Sequence, residues 1–113
     1  MASTLGNPPR QSKAKIRLLD RADDVEIGIE ATEASPGDEV MHIGRGLAAN
    51  LRLDDSSVSR RHAVLISRPS GHRILDDRSL NGTFVNGKRI EQSDLRNGDL
   101  IAIGRVMLLY LDA

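Results

Sequence analysis

The chain contains no cysteine and no tryptophan, and its only aromatic residues are Phe84 and Tyr110. Without thiols there can be no disulfide framework, thiolate nucleophile or thiolate zinc site. Two aromatic rings in 113 residues exclude base stacking along a single-stranded nucleic acid as the main binding mode. No apolar run approaches the roughly 18–20 residues that cross a bilayer. Residues 1–15 also lack the apolar segment of a secretory leader. These absences lead us to expect a soluble, cytoplasmic protein without metal or cofactor, acting neither on membranes nor on nucleic acid. Lysine is scarce as well: apart from Lys13, Lys15 and Lys88, all 16 basic residues are arginine. Forked guanidinium groups suit the recognition of oxyanions.

The formal net charge is zero, but the charges are unevenly spread. Residues 1–15 hold three basic side chains and no acid, and residues 16–44 hold eight acids against two arginines. Residues 45–105 carry eleven basic side chains against seven acids. A local positive field in a neutral chain fits a small anionic ligand better than a long duplex.

Residues 1–14 show no periodicity and include Pro8-Pro9, which predicts a disordered tail before a single domain at 15–113. The domain reads as short apolar runs at 16–19, 25–29, 40–43, 51–53, 63–66, 74–75, 83–85, 100–103 and 106–111. Turn residues separate them, including Asn81-Gly82, Asn86-Gly87 and Asn97-Gly98, and Asn-Gly is the strongest short-range hairpin signal. Many short strands with regular turns and no helical periodicity predict an all-β sandwich. The near-continuous run at 100–103 predicts a strand covered on both faces. Phe84 is expected to plug the core, and His42 and His72 to be ordinary strand residues. The acidic stretch 23–39 reads as a solvated loop.

Three stretches carry chemistry: Gly44-Arg45, Ser59-Arg60-Arg61-His62, and the segment from Ser79 through Leu80, Asn81, Gly82, Thr83, Phe84, Val85 and Asn86 to Gly87. Their guanidinium, hydroxyl and carboxamide groups match a phosphate ester, which carries about −1.5 to −2 charges and three strong acceptor oxygens near neutral pH. The order and spacing of these motifs, with Ser59 fourteen residues after Arg45, resemble the forkhead-associated (FHA) domain in its bacterial form. The resemblance covers about residues 15–112. It implies a β-sandwich of about eleven strands in two sheets, and a phosphothreonine-binding module in Ser/Thr kinase signalling that is not an enzyme. The partner it implies is a phosphothreonine protein or peptide, such as a Ser/Thr kinase or its substrate.

By the same resemblance, Arg45 and Ser59 contact the phosphate, Arg60 adds a contact to phosphate or peptide, and Asn81 holds the peptide backbone. Leu80 stands where many members have threonine. It forfeits a hydroxyl contact, keeps a backbone one, and is expected to help line a pocket for the threonine methyl group. Gly44, His62, Gly82 and Asn86 shape the loops. Arg61 reads as a solvated surface residue. A degenerate scaffold that binds protein without phosphate is the alternative. A hydrolase built on Ser59 and His62 is disfavoured, because no nucleophile elbow or oxyanion motif accompanies the pair. Thr4 and Thr32 are candidate phosphorylation sites for the protein's own pocket.

Overall fold

The computed structural model describes residues 14–19, 25–29 and 39–112. The expected tail, the acidic segment around Thr32, and Thr4 therefore lie outside the described residues, apart from Ala14. That residue is buried, and its carbonyl accepts the Ile29 N–H.

Eleven strands form two sheets, and there is no helix among the described residues. In chain order they are β1 (Lys15–Leu18), β2 (Glu26–Gly28), β3 (Glu39–Gly44), β4 (Leu51–Arg52), β5 (Ala63–Arg68) and β6 (Gly71–Asp76). There follow β7 (Thr83–Val85), β8 (Lys88–Ile90), β9 (Gln92–Asp94), β10 (Leu100–Ile103) and β11 (Val106–Leu111). One sheet has the order β2-β1-β11-β10-β7-β8 and the other β4-β3-β5-β6-β9. Every pair of neighbouring strands is antiparallel except β3 and β4, which run parallel with Ile43 opposite Leu51.

Two-residue alternation builds the core. Ile16, Ile101, Ile103, Leu108 and Tyr110 from the first sheet meet Ile43, Leu65 and Ile74 from the second, all at most 1 % exposed. Alternation also corrects two expectations. On β7 it is Thr83 and Val85 that point inward, so Phe84 lies half-buried on the outer face opposite Arg89, and Tyr110 is the aromatic of the core. On β10 only Ile101 and Ile103 face inward, while Leu100 is exposed, so the apolar run covers one face and not two.

The three Asn-Gly pairs have three different fates. Asn86-Gly87 forms the β7–β8 hairpin, with positive φ at both residues (52° and 82°), as a type I′ turn requires. Asn97-Gly98 joins strands of different sheets, and Asn81-Gly82 lies in a loop between sheets.

His72 is a buried hub, not an ordinary strand residue. It is 3 % exposed, and its Nε2–H donates to Ile29 O (2.7 Å). Nδ1 is then the acceptor for the Tyr110 hydroxyl at 2.8 Å, which also lies 3.2 Å from Asp112 Oδ2. Burial, then the neighbouring Asp112 carboxylate, pushes the Tyr110 pKa above its ordinary value, so the phenol remains a donor. His42, as expected, is an exposed strand residue.

We predict that Tyr110→Phe will lower unfolding stability by about 1–3 kcal/mol, because it strands the buried Nδ1 of His72 without a donor. Urea denaturation of the variant measures this, and parent-like stability would show that the hydrogen bond contributes nothing net.

Candidate functional site

Strand register brings the candidate residues to one end of the sandwich. Ile43 pairs with Ala63, and Ala63 with Asp76, so β3 and β6 end where β5 begins. Thr83, the first residue of β7, pairs with Ile103 at the end of β10. The segments 45–50, 53–62, 77–82 and 104–105 therefore meet at this end.

His62 ties two of these segments together. It is fully buried, with Nδ1 accepting the Ser59 N–H at 3.0 Å and Nε2–H donating to Gly82 O at 2.8 Å. Its backbone is also held, by His62 N–H to Ile43 O and Asp77 N–H to His62 O. This is the loop staple expected from sequence. Both ring nitrogens are engaged with backbone groups, and the Ser59 hydroxyl instead accepts the Leu80 N–H at 2.9 Å. A Ser-His catalytic couple is therefore not assembled.

Arg45 and Ser59 lie side by side, because Arg45 N–H donates to Ser59 O at 2.9 Å and Gly46 N–H to Arg60 O at 3.1 Å. A Cβ at Gly44 would sit 2.1 Å from the Arg60 carbonyl oxygen, so only glycine allows this approach. The half-buried Arg45 side chain is aimed by Nε–H donating to Val58 O at 3.0 Å. Its terminal nitrogens have no hydrogen-bond partner among the described residues. Asn81, which is exposed, donates from Nδ2 to Ser57 O at 2.9 Å, and its Oδ1 is unpartnered among the described residues. Arg60 is exposed beside Ser59.

One residue departs from the sequence reading. Leu80 is 85 % exposed. Its amide, expected to be available to the ligand, is engaged by Ser59 Oγ. Arg61 pairs with Asp77 (3.2 Å) at the surface, as a solvated residue would. Asn86 and Gly82 hold their turns as expected. Asn86 Oδ1 accepts the Leu100 N–H and its Nδ2 donates to Asp99, while Gly82 sits at φ 91° against the Arg89 guanidinium.

The sequence reading missed Asp76, which organises the 77–82 loop. Its Oδ1 accepts from the Ser79 and Thr83 hydroxyls, and its Oδ2 accepts the Ser79 N–H. Ser79 Oγ in turn accepts the Gly82 N–H at 2.9 Å. An acid three residues before a serine is the spacing of such side-chain-capped turns, and was the available signal. Asp55 plays the same part in the 53–62 loop, accepting from the Ser57 hydroxyl and amide, while Ser57 Oγ accepts the Arg105 N–H. Burial alone would raise the Asp76 pKa, but the hydrogen bonds from the Ser79 hydroxyl, the Thr83 hydroxyl and the Ser79 amide together hold it below the ordinary carboxylate value.

A carboxyl with a lowered folded-state pKa stabilises the fold above the unfolded-state pKa, and that contribution is lost as pH falls through the folded-state pKa. Between the unperturbed value of 3.8 and lower pH, we predict that the parent loses stability more steeply than Asp76→Asn. Denaturant titrations of both proteins across this range test it, and parallel curves would show that Asp76 is not coupled to folding.

The sequence profile of the FHA domain matches residues 41–104. The chain is 40 % identical over 80 residues to the ABC transporter ATP-binding/permease protein Rv1747 of Mycobacterium tuberculosis, covering 71 % of this chain and 9 % of that protein. It is 40 % identical over 68 residues to the glycogen accumulation regulator GarA of Mycolicibacterium smegmatis, covering 60 % of this chain and 43 % of that one. It thus spans less than half the length of either relative. Among solved structures, one from a study of phosphothreonine-dependent FHA domain interactions superposes with a TM-score of 0.72 at 29 % identity, over 88 % of this chain and 95 % of that one. The FhaA FHA domain, complexed with the intracellular domain of Rv3910, gives a TM-score of 0.70 at 29 % identity, over 86 % and 98 % of the two chains.

Proposed function

The chain belongs to the FHA domain family, and we propose that it is a phosphothreonine-dependent protein-binding module in Ser/Thr kinase signalling. The observation that carries this reading is the convergence of Arg45, Ser59 and Asn81 on one end of the sandwich, each anchored through an atom the ligand does not need. Arg45 is held by Nε and keeps its terminal nitrogens for a phosphate. Ser59 Oγ accepts the Leu80 amide proton, which leaves its own proton to donate to a phosphate oxygen. Asn81 is held by Nδ2 and offers Oδ1 to a peptide N–H. Arg60 supplies further positive charge at the edge.

The ligand in this reading is a phosphothreonine segment of a Ser/Thr kinase or of a kinase substrate, met in the cytoplasm. The phosphothreonine-dependent interactions of a structural relative at 29 % identity support it. The chain acts by binding and not by turnover, a role supported by the imidazole of His62 being committed to the backbone.

Each charge-assisted hydrogen bond contributes about 1.5–3 kcal/mol. Arg45→Ala should therefore weaken a phosphothreonine peptide at least about tenfold. Isothermal titration tests this, and unchanged affinity would remove Arg45 from the site. Glutamate in place of phosphothreonine should fail to bind. Phosphothreonine should be preferred over phosphoserine, because its extra methyl group, if buried, contributes about 0.8 kcal/mol, or about fourfold. Equal affinities in the same titration would show that no pocket receives the methyl group.

A further inference from the structure

The far end of the β5–β6 hairpin holds a cavity of about 360 Å³, within the roughly 300–1,000 Å³ of ligand clefts. Arg68, Ser70, Gly71, Arg73, Asp94 and Arg96 line it. β6 runs from Gly71 at this cavity to Asp76 at the loop end. Five residues of extended chain separate the two by roughly 17 Å.

Strand register gives the cavity its shape. Arg68 pairs with Gly71, and Arg73 pairs with Asp94. The second pairing continues past β9, because Leu95 N–H donates to His72 O at 2.9 Å, and this brings Arg96 across from Gly71. Neighbouring strands lie about 4.7–4.9 Å apart, so Arg68 and Arg96 flank Gly71 on its two sides. Gly71 puts no side chain between them, and nothing lies within 4 Å of the position its Cβ would take. Leu65, Ser67, His72 and Ile74 are buried in the sandwich, so Ile66, Arg68 and Arg73 alternate onto the outer face. The gap therefore opens to solvent.

Its charges are predominantly positive. Arg73 Nε–H donates to Asp94 Oδ1 at 2.8 Å and Nη1–H to Gln92 Oε1 at 3.4 Å, which fixes Arg73 and balances Asp94. Arg68 and Arg96 stand close enough that their charges, after that of Arg73, help hold the Asp94 carboxyl below its ordinary value. Arg96 is exposed and forms no ion pair among the described residues. Three guanidinium groups thus surround a gap that holds one carboxylate.

We propose that this cavity binds a phosphate monoester, with the phosphate seated over Gly71 between Arg68 and Arg96. A dianion with three strong acceptor oxygens suits forked donors approaching from two sides, whereas a carboxylate offers one charge and two oxygens. The missing side chain of Gly71 lets the phosphate approach the backbone, and the Ser70 hydroxyl is a further donor on the wall. The site shares no residue with Arg45, Ser59, Arg60 and Asn81, so it does not rest on the phosphothreonine reading.

Residue-resolved NMR titrations of the isotope-labelled chain and of Arg45→Ala test the site. Phenyl phosphate, a glycine-rich phosphoserine peptide and benzoate are added separately at constant ionic strength. The phosphate esters should give saturable shifts at the Ser70, Gly71 and Arg96 amides, alike in both proteins, and benzoate should not. Tighter binding of phenyl phosphate assigns a free ester as the ligand, and tighter binding of the peptide assigns a phosphorylated residue of a partner. Arg96→Gln should weaken this binding at least about tenfold, the loss of one charge-assisted hydrogen bond. The same variant should leave phosphothreonine peptide binding at the Arg45 end unchanged. The assignment is overturned if the shifts are confined to residues around Arg45, if benzoate reproduces them, or if they survive both Arg96→Gln and Arg68→Gln. Loss of phosphothreonine binding alone would leave the shifts at Gly71 in place, so the two readings fail separately.

Discussion

Everything at the functional end depends on one buried imidazole. His62 makes two backbone hydrogen bonds from a fully buried ring, to Ser59 on one side and Gly82 on the other. Such bonds are stronger in a low-dielectric interior than in water, and leaving either backbone group without its partner there would be costly. The loop before β5 and the loop before β7 are consequently parts of one object. Because Ser59 is fixed relative to Gly82, its hydroxyl meets the Leu80 amide, and Asn81 reaches Ser57. The same Ser59 backbone receives the Arg45 amide. One side chain thus sets the relative positions of all three groups proposed to meet the ligand.

Around that clasp, short acidic knots replace regular secondary structure. Asp76 collects two hydroxyls and an amide, and Asp55 collects one hydroxyl and one amide, both from Ser57. Loops ordered in this way lose little further freedom when a ligand arrives, which favours affinity from few contacts. The acids also compensate the arginines nearby: Arg105 reaches Asp55 and Arg61 reaches Asp77. Arg45 and Arg60 are among the basic side chains of residues 45–105 that have no such acidic partner among the described residues.

Much of this was legible in the sequence where a residue's chemistry has only one common use. The nine apolar runs fall on strands of the sandwich, and the Arg45, Ser59 and Asn81 motifs meet at one end. The two strands without an apolar run, β8 and β9, are polar because each is the edge of its sheet and has little to bury. What failed was parity and partnership. Phe84 belongs to an apolar triplet, and nothing local says which of its two faces turns inward; the register with β10 decides that. His62 and His72 are both buried and fully hydrogen-bonded, but only His62 announces itself, through its place after Ser59 and Arg60. The partners of His72 are Tyr110, thirty-eight residues later, and Ile29, forty-three residues earlier, and no local pattern connects them. Asp76 was missed because it lies at a strand end that the apolar pattern had already left behind.

The way the three ligand-facing groups are held implies a division of labour. Arg45, Ser59 and Asn81 are each anchored to a carbonyl or amide of the backbone, not to another variable side chain. Their geometry therefore tolerates substitution of exposed side chains such as those of Leu47 and Leu80, since Leu80 anchors Ser59 only through its backbone amide. The proposed phosphate site is built into the clasp and is costly to change, since a carbon atom at Gly44 would collide with the Arg60 carbonyl. The exposed loop side chains beside the proposed site can vary more freely, since such substitutions are usually within about 0.5 kcal/mol of neutral for stability. A sandwich end made this way can keep one chemistry for the phosphate while changing which sequence surrounds it.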